Sequence, residues 1–257
     1  MGFNFVNEVN HAPLGHTYIF STGQAGFIIR SKSGQLLAID LYLSDCVERE
    51  EGKAFKRMLP NILFPRDLIF DVYIATHPHL DHFDVDTIPD ILDNGKTVLF
   101  CSEQCNQFVD SLKLDENKIK YVKPGIDQQV GDFFIEFVNC DHGKGAPDAV
   151  GVIVNVDGKR IYETGDTCLR VDFVKNIIKN GKIDVLIAPI NGAYGNMNEE
   201  DCAKFASILK PKITIPCHYG MFPGHGGNPG KFFSIMRDKY LNDDFIVMAQ
   251  GASYEIK

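Results

Sequence analysis

No stretch of this 257-residue chain approaches the roughly 20 consecutive apolar residues that a bilayer-spanning helix requires. Its opening, Met1 to Glu8, also lacks the basic start and apolar core of a secretory signal. The expectation is a cytoplasmic protein with no membrane attachment. Basic residues are in short supply: 26 lysines and arginines face 34 acids, for a formal charge of −8. A broad nucleic-acid-binding face needs the opposite balance to neutralise phosphates, so no nucleic-acid partner is expected, although a local basic pocket stays compatible. A disulfide framework is missing too, since the seven cysteines are odd in number and scattered. Cys101 and Cys105 read as packing residues four apart, as do Cys140, Cys168 and Cys217. No repeat, low-complexity tract or linker interrupts the chain, which predicts one domain over residues 1–257. Hydrophobic content of 44% and charged content of 23% are those of a globular protein with a sizeable core.

What the chain does have is a series of β-favouring apolar runs, each stopping at a polar loop. Short strands are predicted at Thr17–Ser21, Gly26–Arg30 and Gln35–Asp40, followed by a charged helical stretch from Glu48 to about Met58 before Pro60. The apolar run from Leu68 to Ala75 stops before His77-Pro78-His79-Leu80-Asp81-His82. Helices are expected over Asp86–Leu92, with Pro89 in the first turn, and over Glu103–Leu112, flanking a strand at Thr97–Cys101. The strand Phe133–Val138 runs to Asp141-His142. The hairpin Val150–Val156 and Arg160–Glu163, turning at Asp157-Gly158, runs to Thr164-Gly165-Asp166. Strands at Asp184–Ala188 and Ile213–Pro216 run to Asn191-Gly192 and to Cys217-His218, with a helix at Glu199–Leu209 between them. A buried strand that ends in a polar loop delivers that loop's side chains to a sheet edge, where ligand sets sit on a rigid support.

Four candidate ligands within residues 77–82 are far more than a stray core histidine explains. Imidazole and carboxylate suit borderline divalent ions. Together the candidates are His77, His79, Asp81, His82, His142, Asp166 and His218. Seven exceed the four that a tetrahedral ion uses, so two adjacent ions are expected. If the first loop runs extended, His77 and His79 point one way while Asp81 and His82 reach round. That places His77, His79 and His142 on one ion, Asp81, His82 and His218 on the other, and Asp166 between them.

The motif His-x-His-x-Asp-His, a later histidine after a strand, Gly165-Asp166 and the final His218 together resemble the metallo-β-lactamase superfamily. The resemblance covers nearly the whole chain. It implies an α/β fold built as a four-layer αββα sandwich with metals at one edge of two sheets. Gly23 to Phe27, Ile39 to Asp45, Ala146 to Gly151, Pro189 to Gly192 and Ile215 to Tyr219 further resemble the L-ascorbate-6-phosphate lactonase-like branch. The implied activity is metal-dependent hydrolysis of a lactone or small ester, with a phosphorylated sugar lactone as one candidate. The cofactor expected is a pair of divalent ions, manganese or zinc, with iron also accepted by these ligands. A phosphodiesterase acting on a small nucleotide is the alternative, because the same ion pair activates water against phosphorus. A non-catalytic metal-binding scaffold is disfavoured, because every ligand position is filled.

Two cations lower the pKa of a shared water from about 16 toward neutrality, and Asp81 is the candidate to accept the proton. Asp84 reads either as a carboxylate orienting a ligand histidine or as a helix N-cap, and Asp40, like Asp45, either as a further orienting acid or as a turn residue after a strand. Asn191, Tyr219 and His225 are the candidate substrate contacts. The segment Gly224 to Lys231 reads either as a flexible loop that receives an anionic group, with Lys231 and Lys144 contributing charge, or as a plain surface loop. A small-molecule substrate is the expected partner, and homo-oligomerisation is compatible with the sequence.

Overall fold

Residues in the central strands alternate in where they send their side chains, yet both destinations are dry. In the run Leu37-Ala38-Ile39, Leu37 and Ile39 pack into one apolar cluster and Ala38 into another; Val72 and Ile74 part from Tyr73 in the same way. A strand buried on both faces reads as a continuous apolar run, and it needs a layer on each side. The computed structural model, which describes residues 2–257, supplies those layers.

Thirteen strands form two sheets among the described residues. The first contains β1 (Thr17–Gly23), β2 (Gly26–Arg30), β3 (Leu36–Ile39), β4 (Val72–Ala75), β5 (Val98–Ser102), β6 (Ile119–Val122) and β13 (Ser253–Ile256), in the order β13-β1-β2-β3-β4-β5-β6. The second contains β7 (Asp127–Val130), β8 (Phe133–Asn139), β9 (Val150–Val156), β10 (Lys159–Glu163), β11 (Val185–Pro189) and β12 (Ile213–Cys217), in the order β12-β11-β10-β9-β8-β7. One core fills the space between the sheets, with Ile29, Ile39 and Ile74 meeting Phe137, Val152 and Ile187. Helices α1 (Gly2–His11), α3 (Ile88–Leu92) and α4 (Asn106–Leu112) cover the outer face of the first sheet. Helices α5 (Val174–Ile177), α6 (Glu199–Leu209) and α7 (Pro229–Lys239) cover that of the second. This is the αββα layering expected. The short α2 (Cys46–Glu51) belongs to neither layer and packs with Tyr42, Met221 and Phe222 beside one sheet edge.

Strand direction decides which edge becomes functional. β3 and β4 are parallel, as are β10, β11 and β12. β8 runs antiparallel to β9, and β9 antiparallel to β10, so β8 points the same way as β10. The C-terminal ends of β8, β10, β11 and β12 therefore lie along one edge, and the loops after β3 and β4 face them. Two backbone bonds tie the sheets together there: Val150 N donates to Thr76 O (3.1 Å) and His218 N to Gln24 O (2.8 Å).

Several predicted boundaries shift. The helix expected over Glu48–Met58 spans only Cys46–Glu51, because Gly52 takes φ 97° and a single 3₁₀ turn, Lys53–Phe55, follows. The Leu68–Ala75 run is a strand only from Val72, and the Glu103–Leu112 helix opens with a 3₁₀ turn. Helices α1, α5 and α7 and strands β6, β7 and β13 were not anticipated.

Ile74 is fully buried between the sheets, three residues before the histidine cluster. Ile74→Ala is expected to cost about 2–5 kcal/mol of unfolding free energy, as core truncations do. Urea denaturation checks this; a loss below about 1 kcal/mol would show that the inter-sheet core does not carry the site's support.

Candidate metal centre

After β4 the chain runs to His79 and then turns tightly, with His82 N and Phe83 N both donating to His79 O (2.9 and 2.7 Å). The turn, rather than an extended loop, carries Asp81 and His82 round to a neighbouring position. His142 arrives from the end of β8, Asp166 from β10 and His218 from β12. At Gly165 (φ 64°), a Cβ would stand 2.8 Å from Val150 O, so only glycine lets the Asp166 loop lie this close to β9.

The seven side chains meet as two trios with Asp166 between them. His77 Nε2 lies 3.0 Å from His79 Nδ1, which lies 3.1 Å from His142 Nε2. In the second trio His82 Nε2 is 3.2 Å from His218 Nε2, and Asp81 Oδ2 is 3.4 Å from His218 Nε2. Asp166 Oδ2 reaches both, at 3.1 Å from His218 Nε2, 3.5 Å from His82 Nε2 and 3.7 Å from His142 Nε2. Ligand atoms around a tetrahedral ion with metal–nitrogen bonds of 2.0–2.1 Å sit ~3.3 Å apart.

The outer hydrogen bonds set which nitrogen faces inward. Asp40, fully buried, accepts at Oδ2 from His82 Nδ1 (2.7 Å) and from Thr76 Oγ1 (2.6 Å), and at Oδ1 from Thr76 N (2.8 Å). Thr76 has given its one hydroxyl hydrogen to Asp40, so toward His77 Nδ1, 3.0 Å away, it can only accept. His77 Nδ1 therefore carries the proton and His77 Nε2 presents a lone pair. Asp40 also lies within ligand distance of His77 and His82, but with both oxygens occupied it acts as their orienting group. Carboxylate–histidine pairs of this kind fix the tautomer and raise ligand basicity.

Burial pushes His77 and His79 below the ordinary histidine range and His142 down to about 4, leaving the first trio as neutral imidazoles. In the second trio burial opposes charge too, but it is outweighed. Asp166 and Asp40 hold His82 well up, and Asp166 with Asp81 lifts His218 to about 9. Burial likewise resists ionisation of Asp81 and Asp166, yet His82 and His218 keep both well below the usual carboxylate range. Ionised carboxylates this deep need compensating positive charge, and unprotonated imidazole nitrogens aimed at one point need an electrophile. The donor set fits divalent cations.

The remaining candidates divide. His225 lines the cavity above the trios, its Nδ1 3.2 Å from Gln24 Nε2. Tyr219 does not, because its hydroxyl donates to Met248 O (2.8 Å) on the far side. Asn191 is buried, its side-chain amide without a hydrogen-bond partner among the described residues, and is not part of the cavity wall. Asp84 touches no histidine: its carboxylate accepts from Leu43 N, Ser44 N, Ser44 Oγ and Asp86 N, so it braces the loop after β3 and the turn before α3. The Gly224–Lys231 segment is not a free loop. A Cβ at Gly226 would stand 2.2 Å from Asn191 O, and Asn228 caps α7 by accepting from Lys231 N (3.0 Å). Lys231 Nζ is paired with Glu199 Oε2 (3.0 Å), and Lys144 lines a smaller adjoining hollow. Gln24 was not anticipated as a site residue. Its Nε2 donates to Asp81 Oδ2 (2.8 Å), and its position in the Gly23–Phe27 segment was the available signal.

A family model described as a beta-lactamase superfamily domain matches residues 18–218. The chain belongs to the beta-lactamase superfamily. It is similar to the UPF0173 metal-dependent hydrolase of Pyrococcus abyssi, at 30% identity over 192 residues covering 72% of this chain and 81% of that one. A UPF0173 metal-dependent hydrolase of Anaeromyxobacter dehalogenans is 25% identical over 251 residues, covering 89% and 84%. A solved metallo hydrolase of Ignicoccus hospitalis shares the fold with a TM-score of 0.72 at 21% identity, over 94% of this chain and 98% of that one. The protein is thus a metal-dependent hydrolase of the metallo-β-lactamase fold, with histidine and aspartate groups able to hold metal. No helix among the described residues is long and apolar enough to cross a membrane.

Asp40→Asn keeps the size of the side chain but weakens its hold on His82. The hydrolase is expected to lose about 10–100-fold in metal affinity or activity, as loss of such partners typically costs. A chelator-competition titration reads the affinity; unchanged affinity together with unchanged activity would remove Asp40 from this role.

Proposed function

We propose that the hydrolase opens a lactone or small ester by adding water across the acyl C–O bond. The observation that supports this most directly is that the two trios and Asp166 lie together and reach, through His79, Asp81, His142 and Asp166, the lining of a cavity of about 710 Å³, a size suited to a small molecule. His77, His79 and His142 would hold one divalent ion, Asp81, His82 and His218 a second, and Asp166 would touch both. Two such ions, manganese or zinc and with iron also suited to the donors, would supply Lewis acidity toward a carbonyl oxygen and acidify water toward neutral pKa.

The chain's own groups then manage position and protons. Asp81 lines the cavity and is held ionised, so it can take the proton released as water oxygen bonds the carbonyl carbon. When the ring C–O bond breaks, the departing alkoxide recovers that proton from Asp81, and the product is the hydroxy acid. Gln24 Nε2, bonded to Asp81 Oδ2, keeps the carboxylate turned to this task. His225 stands over His218 with ring centres 4.8 Å apart and closes the cavity on that side. The phosphate-bearing version of the substrate loses its proposed donor at Lys231, which is committed to Glu199. No lysine or arginine among the described residues lines the main cavity, and Lys144 lies in the adjoining hollow, so the cavity walls give a phosphodiester no charged side chain of their own.

Asp81→Asn is expected to lower kcat by about 10²-fold or more, as loss of a general base does, with little change in Tm. The check is a metal-supplemented assay over lactones, esters, thioesters and phosphodiesters. Near wild-type turnover in an Asp81→Asn enzyme with its metal bound would take Asp81 out of the mechanism, and exclusive cleavage of the phosphodiester would replace the lactone reading.

A further inference from the structure

The cavity above the metal centre has walls whose chemistry is independent of its floor. On one side stand α2 and the turn after it, and on the other α4. Val47, Phe55, Leu80, Val85, Phe108 and Leu112 give these walls an apolar surface. Their charged members are Glu50 and Glu51, both acidic and exposed, and no cation lines the cavity among the described residues. Arg49, the neighbouring base, does not line the cavity and is shared between Glu50 (2.8 Å) and Asp86 (2.6 Å), which leaves Glu51 as the wall carboxylate it does not pair. Arg57 is spent on the carbonyls of Tyr42 and Ser44. Lys144 lies in the adjoining hollow of about 470 Å³, with Asp141 and Cys168.

From this arrangement we infer that the substrate carries an uncharged apolar arm of several carbons, received between α2 and α4. A phosphorylated or polyhydroxylated sugar acid does not fit these walls. A dianionic group there would meet the carboxylate of Glu51 beside the Arg49-paired Glu50, and would exchange its water for only the neutral polar groups of Gln107, Ser111 and Tyr194, with no lysine or arginine among the described residues to receive it. An alkyl or aryl arm gains instead, because each buried methylene contributes about 0.8 kcal/mol, or roughly a fourfold change in binding. The two acids at the outer wall act as the element that excludes anionic competitors.

This inference rests on the hydrolase reading for the position of the reacting carbonyl, but the recognition of the arm can be measured without turnover. Calorimetric titration of the metal-loaded protein with N-hexylacetamide, N-methylacetamide and glucose 6-phosphate is paired with kcat/KM for hexyl- and methyl-substituted γ-lactones. The hexyl compound is expected to bind at least tenfold more tightly than the methyl one, and the hexyl lactone to turn over with at least tenfold higher kcat/KM. Phe108→Ala should shrink both ratios severalfold. Phe108 stacks on Phe83 (5.3 Å between ring centres), so its truncation also removes a packing contact. The exposed double substitution Glu50→Lys with Glu51→Lys avoids that problem, and it should raise affinity for glucose 6-phosphate without weakening N-hexylacetamide. Equal binding of the two amides, or tighter binding of the sugar phosphate by the unmodified protein, would overturn the inference. A tenfold preference for the hexyl amide with no lactone or ester opened would uphold the apolar arm and remove the lactone reading instead.

Discussion

Charge without water is the constraint on which this structure turns. Asp40, Asp81 and Asp166 lie at the end of a dry two-sheet core, and a carboxylate in such a place persists only when paired or bound to a cation. Every nearby feature serves that requirement. Asp40 is compensated by the Thr76 amide, the Thr76 hydroxyl and His82, which is why it orients and does not ligate. Asp81 and Asp166 have imidazoles for neighbours, and the imidazoles on the far side are held neutral by burial. The site is therefore graded: a neutral nitrogen trio on one side, an acid-bearing trio on the other, and one carboxylate within reach of both.

The backbone bears strain to bring this about. Gln24, Asp40 and His218 all take left-handed φ values, 54°, 48° and 62°, which residues with side chains seldom adopt. Conformations of this type cost on the order of 1–3 kcal/mol each and persist where the surroundings determine them. Here the surroundings are identifiable. His218 N is held by Gln24 O, Asp40 N by Ile74 O (2.9 Å), and β4 and β12 lead into the site with Ile74 and Ile215 anchored in the inter-sheet core. The sheets thus stabilise a ligand geometry that an isolated loop would relax away from, and the cavity walls, built from the less regular α2 and α4, are left to set selectivity.

Much of this was legible in the residues because the functional signal is local. A run such as Val72 to Ala75 followed by four ligand-type residues states both the strand and its purpose, and the later loops at His142, Asp166 and His218 repeat the pattern. The division into two trios was likewise accessible, since it follows from residue spacing within 77–82, although the tight turn at His79 achieves it where an extended loop was expected. What stayed hidden depended on tertiary partners. Asp84, two residues past a ligand histidine, reads as an acid that could orient one, and nothing in the chain says that it meets Ser44 and Leu43 instead. Tyr219 sits next to a ligand in sequence, yet its ring packs away toward Met248. The start of α7 was legible and missed: Asn228-Pro229 is a capping residue followed by a first-turn proline, and the glycines before it drew attention to flexibility when they record close packing.

Five histidines and two aspartates, in this reading, are arranged for a pair of ions. Elemental analysis of the full chain, supplemented with manganese or zinc, desalted and still active, tests it most directly. Two ions per chain, falling to about one in a His79→Ala variant that keeps its fold, is the result predicted. A single ion per chain in the active unmodified protein would contradict it, because about four ligands would then suffice and the rest of the seven would have no ion to hold.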